Sequence, residues 1–377
     1  MLFYSMSSVS SGFVFGALKL SFQRSLKGIY LVIEKKTHKF VFSWYTKPNK
    51  YNSIKLIDAT YHMQPYEPPY EMKSFLLTLN PTYVQKREEA KLTIDATDAD
   101  IRNYIGTYFP RSYSEVRSIY QEICKNQTAS SKFCPDETAR ILSLGCGSGP
   151  DLLAAIDVIR ENCPHVKKIE ILAFEGNENA IAYAKQILNK EQQLAKVRLE
   201  IAICQFKFES MQSFSLLGEL LLTKNLSFDL IQTSKFCGEL LIQHIQKPYY
   251  YFASTFSRFL KPNGFMLILD VTIKNENSLF YPQILNGEIS EFERLDPQFK
   301  TILPISCNCW AAQCTRHCFS GVLLGEGKFC FRLLGRTSMV NSLNIRRENR
   351  RYIVNYFGDA CYYSKRFFQA ADAYTFG

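Results

Sequence analysis

Apolar positions follow two rhythms along the chain, and the change between them falls near residue 95. Upstream, Ile29–Ile33 and Phe40–Tyr45 are runs of β-branched and aromatic residues divided by the polar stretch Glu34–Lys39, which predicts a β-hairpin. Pro65, Pro68, Pro69 and Pro81 interrupt any long helix, so residues 1–95 read as an N-terminal extension of short strands and loops. From Asp98 the apolar spacing becomes helical through Tyr104 and Ile105, with Pro110 expected to end the helix. A second helix is expected through Val116, Ile119, Tyr120 and Ile123, capped by Ser112 or Ser114.

Farther on, strand and helix periods alternate. Ile141–Leu144, Ile169–Phe174, Val197–Cys204, Phe228–Thr233 and Phe265–Ile273 have the composition of buried strands. Leu152–Ile159, Ala180–Leu188 and Pro248–Leu260 have the spacing of helices. This alternation predicts a parallel sheet with helices on both faces. Right-handed crossovers then gather the loops after the strands along one edge, where such sheets bind ligands. The expected organisation is an extension over 1–95 and an α/β domain over 96–377. Within that domain, a ligand-binding core spans 138–275, and a C-terminal substrate region with closing strands spans 276–377. Lys328–Leu334 is expected to close the sheet, with Tyr352–Phe357 as its hairpin partner.

A length of 377 residues with 46% hydrophobic content suffices for a full core. No apolar run approaches the roughly 18 residues of a membrane-spanning helix, so no membrane association is expected. Twelve cysteines in a chain of this length, without a secretion signal, are expected to be thiols rather than disulfides. Met1–Ile33 has no acidic residue and carries Lys19, Arg24 and Lys27, so a mitochondrial transit peptide stands as the alternative to a hairpin in a cytoplasmic protein. The net charge of +10 favours an acidic partner, nucleic acid first. Its basic residues concentrate in 344–351 and at Lys365 and Arg366, where a solvated face is the plainer alternative.

The chemistry concentrates after Ile141–Leu144. Gly145, Gly147 and Gly149 lie between a strand and a helix, where glycine permits positive φ and lets a ligand approach the backbone. The following helix directs unpaired N–H groups at such a ligand, and Pro150 suits its first turn. The spacing Gly-x-Gly-x-Gly differs from the Gly-x-Gly-x-x-Gly of dinucleotide folds, whose third glycine would fall on Pro150. Glu175 closes the next strand, where a carboxylate can accept both hydroxyls of a ribose.

The segment Leu144-Gly-Cys-Gly-Ser-Gly resembles the first motif of the class I S-adenosylmethionine-dependent methyltransferases, and Glu175 matches their ribose-binding acid. Phe228-Asp-Leu-Ile-Gln-Thr-Ser is similar to their fourth strand, and Phe259-Leu-Lys-Pro-Asn-Gly-Phe-Met-Leu-Ile-Leu-Asp to the turn and fifth strand after it. The resemblance spans Ile101 to Ile273. It implies a Rossmann-like seven-stranded fold and S-adenosylmethionine as cofactor, held by Gly145, Cys146, Gly147, Gly149 and Glu175. Two positions depart from the pattern. Ser143 stands where the family often has an acid that serves the methionine amino group. Cys204-Gln205-Phe206 stands where an Asp usually meets the adenine, leaving Gln205 to bond its amino group and Phe206 to pack on its ring.

The resemblance does not name the methyl acceptor. Methyl transfer from sulfur depends mainly on in-line positioning, so no catalytic residue is assigned from sequence. Thr233-Ser-Lys-Phe replaces the Asp/Asn-Pro-Pro-Tyr signature of base-amino methylation, with Thr233 and Ser234 as candidate pocket walls. The lead-in Tyr104–Ile123 is similar to that of methyltransferase-like proteins associated with the small ribosomal subunit, which would bring Tyr108 and Arg111 over the cleft. RNA, ribosomal in particular, is therefore the favoured acceptor. A small molecule or a protein, or a non-catalytic binding or assembly module, are the alternatives. Glu239 approaches the acceptor or caps a helix in solvent. Cys307, Cys309, Cys314 and Cys318, with His317, form a cluster for zinc or an iron–sulfur centre, or else free thiols.

Overall fold

The structure is a computed structural model that describes residues 12–15, 18–25, 28–35, 38–44, 61–63, 66–84, 94–125, 127–194, 197–272, 281–303, 320–323 and 328–343. The cysteine cluster at 307–318, the basic segments at 344–351 and 365–366, and Tyr352–Phe357 lie outside the described residues. The chain divides into two units, residues 1–56 and 57–377. In the first, β1 (Gly12–Phe15), β2 (Leu18–Ser25), β3 (Gly28–Lys35) and β4 (His38–Trp44) form an antiparallel sheet in that order. The predicted hairpin is β3–β4, in register from Ile29↔Trp44 to Lys35↔His38.

The second unit begins with β5 (Tyr61–Met63) and the helix α1 (Tyr70–Thr78). A helix was not expected in this proline-rich stretch, but Pro69 stands at its N-cap. There a missing N–H costs nothing, so the prolines start the helix instead of preventing one. Then come α2 (Asp98–Thr107), α3 (Phe109–Lys125) and α4 (Gln127–Ser130). Thr97 caps α2 in a reciprocal box with Asp100. Pro110 lies in the first turn of α3, so it opens that helix as well as following α2. Ser112 and Ser114 are therefore inside α3 and are not its caps; the Ser114 hydroxyl instead accepts from Tyr66 N at 2.8 Å.

The alternating segment follows as β6 (Thr138–Leu144), α5 (Pro150–Asn162), β7 (Lys168–Glu175), α6 (Glu178–Leu194), β8 (Arg198–Gln205), α7 (Gln212–Leu222), β9 (Phe228–Ser234), α8 (Phe236–Ile242), α9 (Pro248–Phe256) and β10 (Leu260–Val271). It closes with α10 (Tyr281–Leu295), β11 (Phe299–Leu303), β12 (Ser320–Leu323), β13 (Lys328–Arg336) and α11 (Thr337–Ser342).

Strands β8, β7, β6, β9 and β10 are parallel neighbours in that order. Strand β13 is antiparallel to β10, and β11 is antiparallel to β13. These seven strands make the expected mostly parallel Rossmann-like sheet. Strands β12 and β5 extend it beyond β13. Among the described residues the neighbours of Lys328–Leu334 are β10 on one edge and β11 and β12 on the other; the expected partner Tyr352–Phe357 lies outside the described residues. The central strands are buried on both faces, as parallel strands covered by helices must be. No described helix is long and apolar enough to cross a membrane.

Candidate active site at the carboxyl edge of the sheet

The turn after β6 needs its glycines: Gly145, Gly147 and Gly149 have φ of 64°, 53° and 87°. At Gly145 the requirement is doubled, because a Cβ there would fall 2.4 Å from Phe236. Gly149, left-handed, caps α5, and Pro150 opens it. Glu175, at the end of β7, clamps this turn. Its Oε2 accepts from Gly147 N at 2.8 Å, and its Oε1 accepts from Gly176 N at 2.8 Å and Asn177 N at 2.9 Å. Burial pushes this carboxyl up, against the pull of the three backbone donors. Each oxygen keeps capacity for a further donor, so the set suits a vicinal diol.

A buried acid, Asp151, lies against Ser143. Ser143 Oγ donates to Asp151 Oδ2 at 2.6 Å, and Gln232 Nε2 donates to the same oxygen at 2.8 Å. Tyr120 OH donates to Gln232 Oε1 at 2.8 Å, tying α3 to the network. Asp151 is buried in the first turn of α5, and burial raises it to about 6 while Ser143 and Gln232 pull it down. Sequence reading passed over it, because its only trace was a carboxylate directly after Pro150.

Aromatic side chains continue the cleft beyond Glu175. The Phe206 ring lies 6.1 Å from Phe174 and 4.9 Å from Phe208, and Phe208 lies 4.9 Å from Phe236. This apolar row, half-buried at Phe206 and Phe236, fits a flat heteroaromatic ring. Gln205 is exposed and donates to Gly176 O at 3.3 Å. Cys146 is buried, with its thiol pushed well up by burial, so it packs the turn and is no nucleophile.

Residues 135–319 match the family model described as a methyltransferase domain. That stretch is a methyltransferase domain. The glycine turn, Glu175 and the aromatic row agree with S-adenosylmethionine as the cofactor of this enzyme. Among solved structures, the SAH-bound methyltransferase PaMTH1 of Podospora anserina is 14% identical, with 72% of this chain and 90% of that chain covered and a TM-score of 0.35. The plantazolicin methyltransferase BpumL in complex with SAH is 12% identical, with 70% and 99% covered and a TM-score of 0.36. No curated protein matches the sequence.

Tyr108, between α2 and α3, and residues of α3 meet the turn between β9 and α8. Lys235, left-handed at φ 66°, donates to Ser112 Oγ at 2.8 Å and pairs with Glu115 Oε2 at 2.9 Å. Arg111 Nε donates to Glu115 Oε1 at 2.7 Å, and the Tyr108 ring lies 5.9 Å from the Lys235 ammonium. Tyr108 and Arg111 thus converge on the turn that carries Thr233 and Ser234. Desolvation pulls the Lys235 ammonium down, against the field of Glu115. The Ser234 hydroxyl is buried and makes no hydrogen bond among the described residues. Sequence reading passed over Lys235, Glu115 and Asp270, because isolated charges on separate elements carry no spacing signal. Among the described residues no His, Cys, Asp or Glu cluster suits a metal, and Cys124, Cys134, Cys146, Cys163, Cys204, Cys237 and Cys330 are free.

Proposed function

We propose that this methyltransferase holds the ribose of S-adenosylmethionine on Glu175 and its adenine along Phe206 and Phe236, and transfers the methyl group to RNA. The cofactor supplies an electrophilic methyl on a positively charged sulfur. The carrying observation is the pairing of Glu175 with Gly147 N, which sets an acceptor carboxylate against the glycine turn. RNA is supported by the net charge of +10 and by the basic run over 344–351. Half-buried Tyr108, beside Lys235, offers a face on which an extruded base can stack. A compact small-molecule acceptor is the second reading, favoured by Arg111 being committed to Glu115 and not presented as a free cation.

Transfer of label from methyl-tritiated cofactor to total small-subunit RNA, beside a small-molecule extract and a protein fraction, separates these readings. RNA labelling that declines steeply as salt rises from about 50 to 200 mM supports the RNA acceptor. Label entering only the small-molecule fraction, with no salt-dependent RNA binding, discards it.

A further inference from the structure

Residues 94–97 lie upstream of the stretch that matches the family model, yet they are fastened to the end of β7, where Glu175 stands. Asn177 makes the fastening. Its Nδ2 donates to Ile94 O at 3.0 Å and to Ala96 O at 2.9 Å, while its Oδ1 caps α6 by accepting from Ala180 N at 2.9 Å. Its backbone N–H is one of the three donors to the Glu175 carboxylate. Asn179 Nδ2 adds a bond to Ala96 O at 3.1 Å, and Tyr183 OH one to Asp98 Oδ1 at 2.8 Å. One buried residue thus holds the upstream segment beside the carboxylate placed on the ribose.

What this segment delivers is Ile94. Gly176 follows Glu175 directly and has no side chain, and Ile94 fills the space beside it. A Cβ on Gly176 would collide with Ile94 Cδ1, and its other near neighbour would be Lys207 Cγ at 3.6 Å. The gap so lined lies between the ends of β7 and β8. There Glu175 pairs with Gln205 in register, Phe206 N donates to Glu175 O at 2.9 Å, and Gln205 Nε2 donates to Gly176 O at 3.3 Å. With the ribose on Glu175 and the base along Phe206, the base comes within reach of Gly176 and of the Ile94 side chain against it. Ile94 is half-buried, so part of its surface is still open to a ligand. An aliphatic side chain offers only apolar contact, which suits the face of a flat ring.

We propose that Ile94 forms a wall of the adenine subsite and that Asn177 is the residue that positions it there. This rests on the cofactor placement proposed above, and it adds to the site a side chain from outside the matched domain. The backbone amide that orders the Glu175 carboxylate and the side-chain amide that clasps Ile94 belong to one residue. Asn177 therefore links the grip on the ribose to the grip on the base, acting through Glu175 on one side and Ile94 on the other.

Titration calorimetry of the full chain with two ligands separates contacts to the base from those to the rest of the cofactor. One is S-adenosylhomocysteine; the other is S-ribosylhomocysteine, which keeps the ribose and amino-acid parts and lacks the base. Ile94→Ala is expected to weaken S-adenosylhomocysteine about tenfold, with roughly half of the removed apolar surface facing the base, and to leave S-ribosylhomocysteine within about twofold. Asn177→Ser, which can still cap α6 but reaches neither carbonyl, is expected to show the same pattern. Gly176→Ala, whose methyl needs the space of Ile94 Cδ1, is expected to weaken S-adenosylhomocysteine by itself and to cost nothing further in the Ile94→Ala background. An Ile94→Ala protein that binds S-adenosylhomocysteine within about twofold of wild type, or that loses both ligands by the same factor, overturns the inference. A Glu175→Ala protein that still loses affinity then leaves the ribose placement standing; one that binds like wild type removes that placement and this inference together. Should Ile94→Ala lack a cooperative thermal transition, Asn177→Ser and Gly176→Ala against the same two ligands decide the matter.

Discussion

Replacing Glu175 by Ala separates what this carboxylate does for the cofactor from what it does for the fold. The fold side is visible directly: the N–H groups of Gly147, Gly176 and Asn177 lose their acceptor. Water can enter a half-buried site and replace much of that, which limits the cost to about 1–2 kcal/mol in total. The binding side is larger. Two hydroxyl donors to an ionised acceptor are worth about 1.5–3 kcal/mol each. Taking the low end for both gives roughly 3 kcal/mol, a loss of affinity near 150-fold. Because burial raises the Glu175 carboxyl, the contrast with wild type should widen as pH rises through that raised value, since only the carboxylate accepts both hydroxyls. Titration calorimetry with S-adenosylhomocysteine at pH 6 and pH 8, beside thermal melts, measures both sides. A folded Glu175→Ala protein that binds within threefold of wild type at pH 8 would refute the placement of the ribose.

Asp151→Asn tests the buried acid. The Asp151 carboxyl is raised from 3.8 to about 6, so the folded state holds its proton more tightly than the unfolded chain. Its contribution to stability is present below pH 4 and is lost as pH rises to about 6, by roughly 3 kcal/mol. Denaturant unfolding from pH 4 to pH 7 should show that decline in wild type and a smaller one in the variant; equal slopes contradict it. Gly145→Ala should destabilise by about 1–3 kcal/mol from backbone strain at φ 64°, and more from the clash with Phe236. Phe236→Gly removes the Cβ as well as the ring, so in that background Gly145→Ala should cost only the strain part, and no cost there would show that φ carries none.

Several features were legible before any coordinates because each follows from neighbours in sequence. Period-two and period-3.6 patterns placed β6 to β10 and helices α5, α6 and α9 within a few residues. The glycine turn and Glu175 were visible because a loop between strand and helix is a local event. α7, α8 and α10 went unread. The exposed Leu216, Leu220 and Leu222 blur the polar face of α7, and α8 is too short for periodicity to register. Gln205 and Phe206 were named without a partner, and only the structure shows Gln205 turned to Gly176 O and Phe206 joined to the aromatic row.

The sequence by itself determined the order of strands and helices, the turn that only glycine can make, and an acid at the end of the second core strand. These depend on backbone stereochemistry and on which face of an element is apolar, and both are written within a few residues of each position. The tertiary structure decided where the remaining charge lies. It brought Asp151 beneath Ser143 and set Lys235 against Glu115 across 120 residues of chain. Electrostatic fields act through space and strengthen as water is excluded, so the behaviour of a carboxyl is set by groups that the sequence holds far apart.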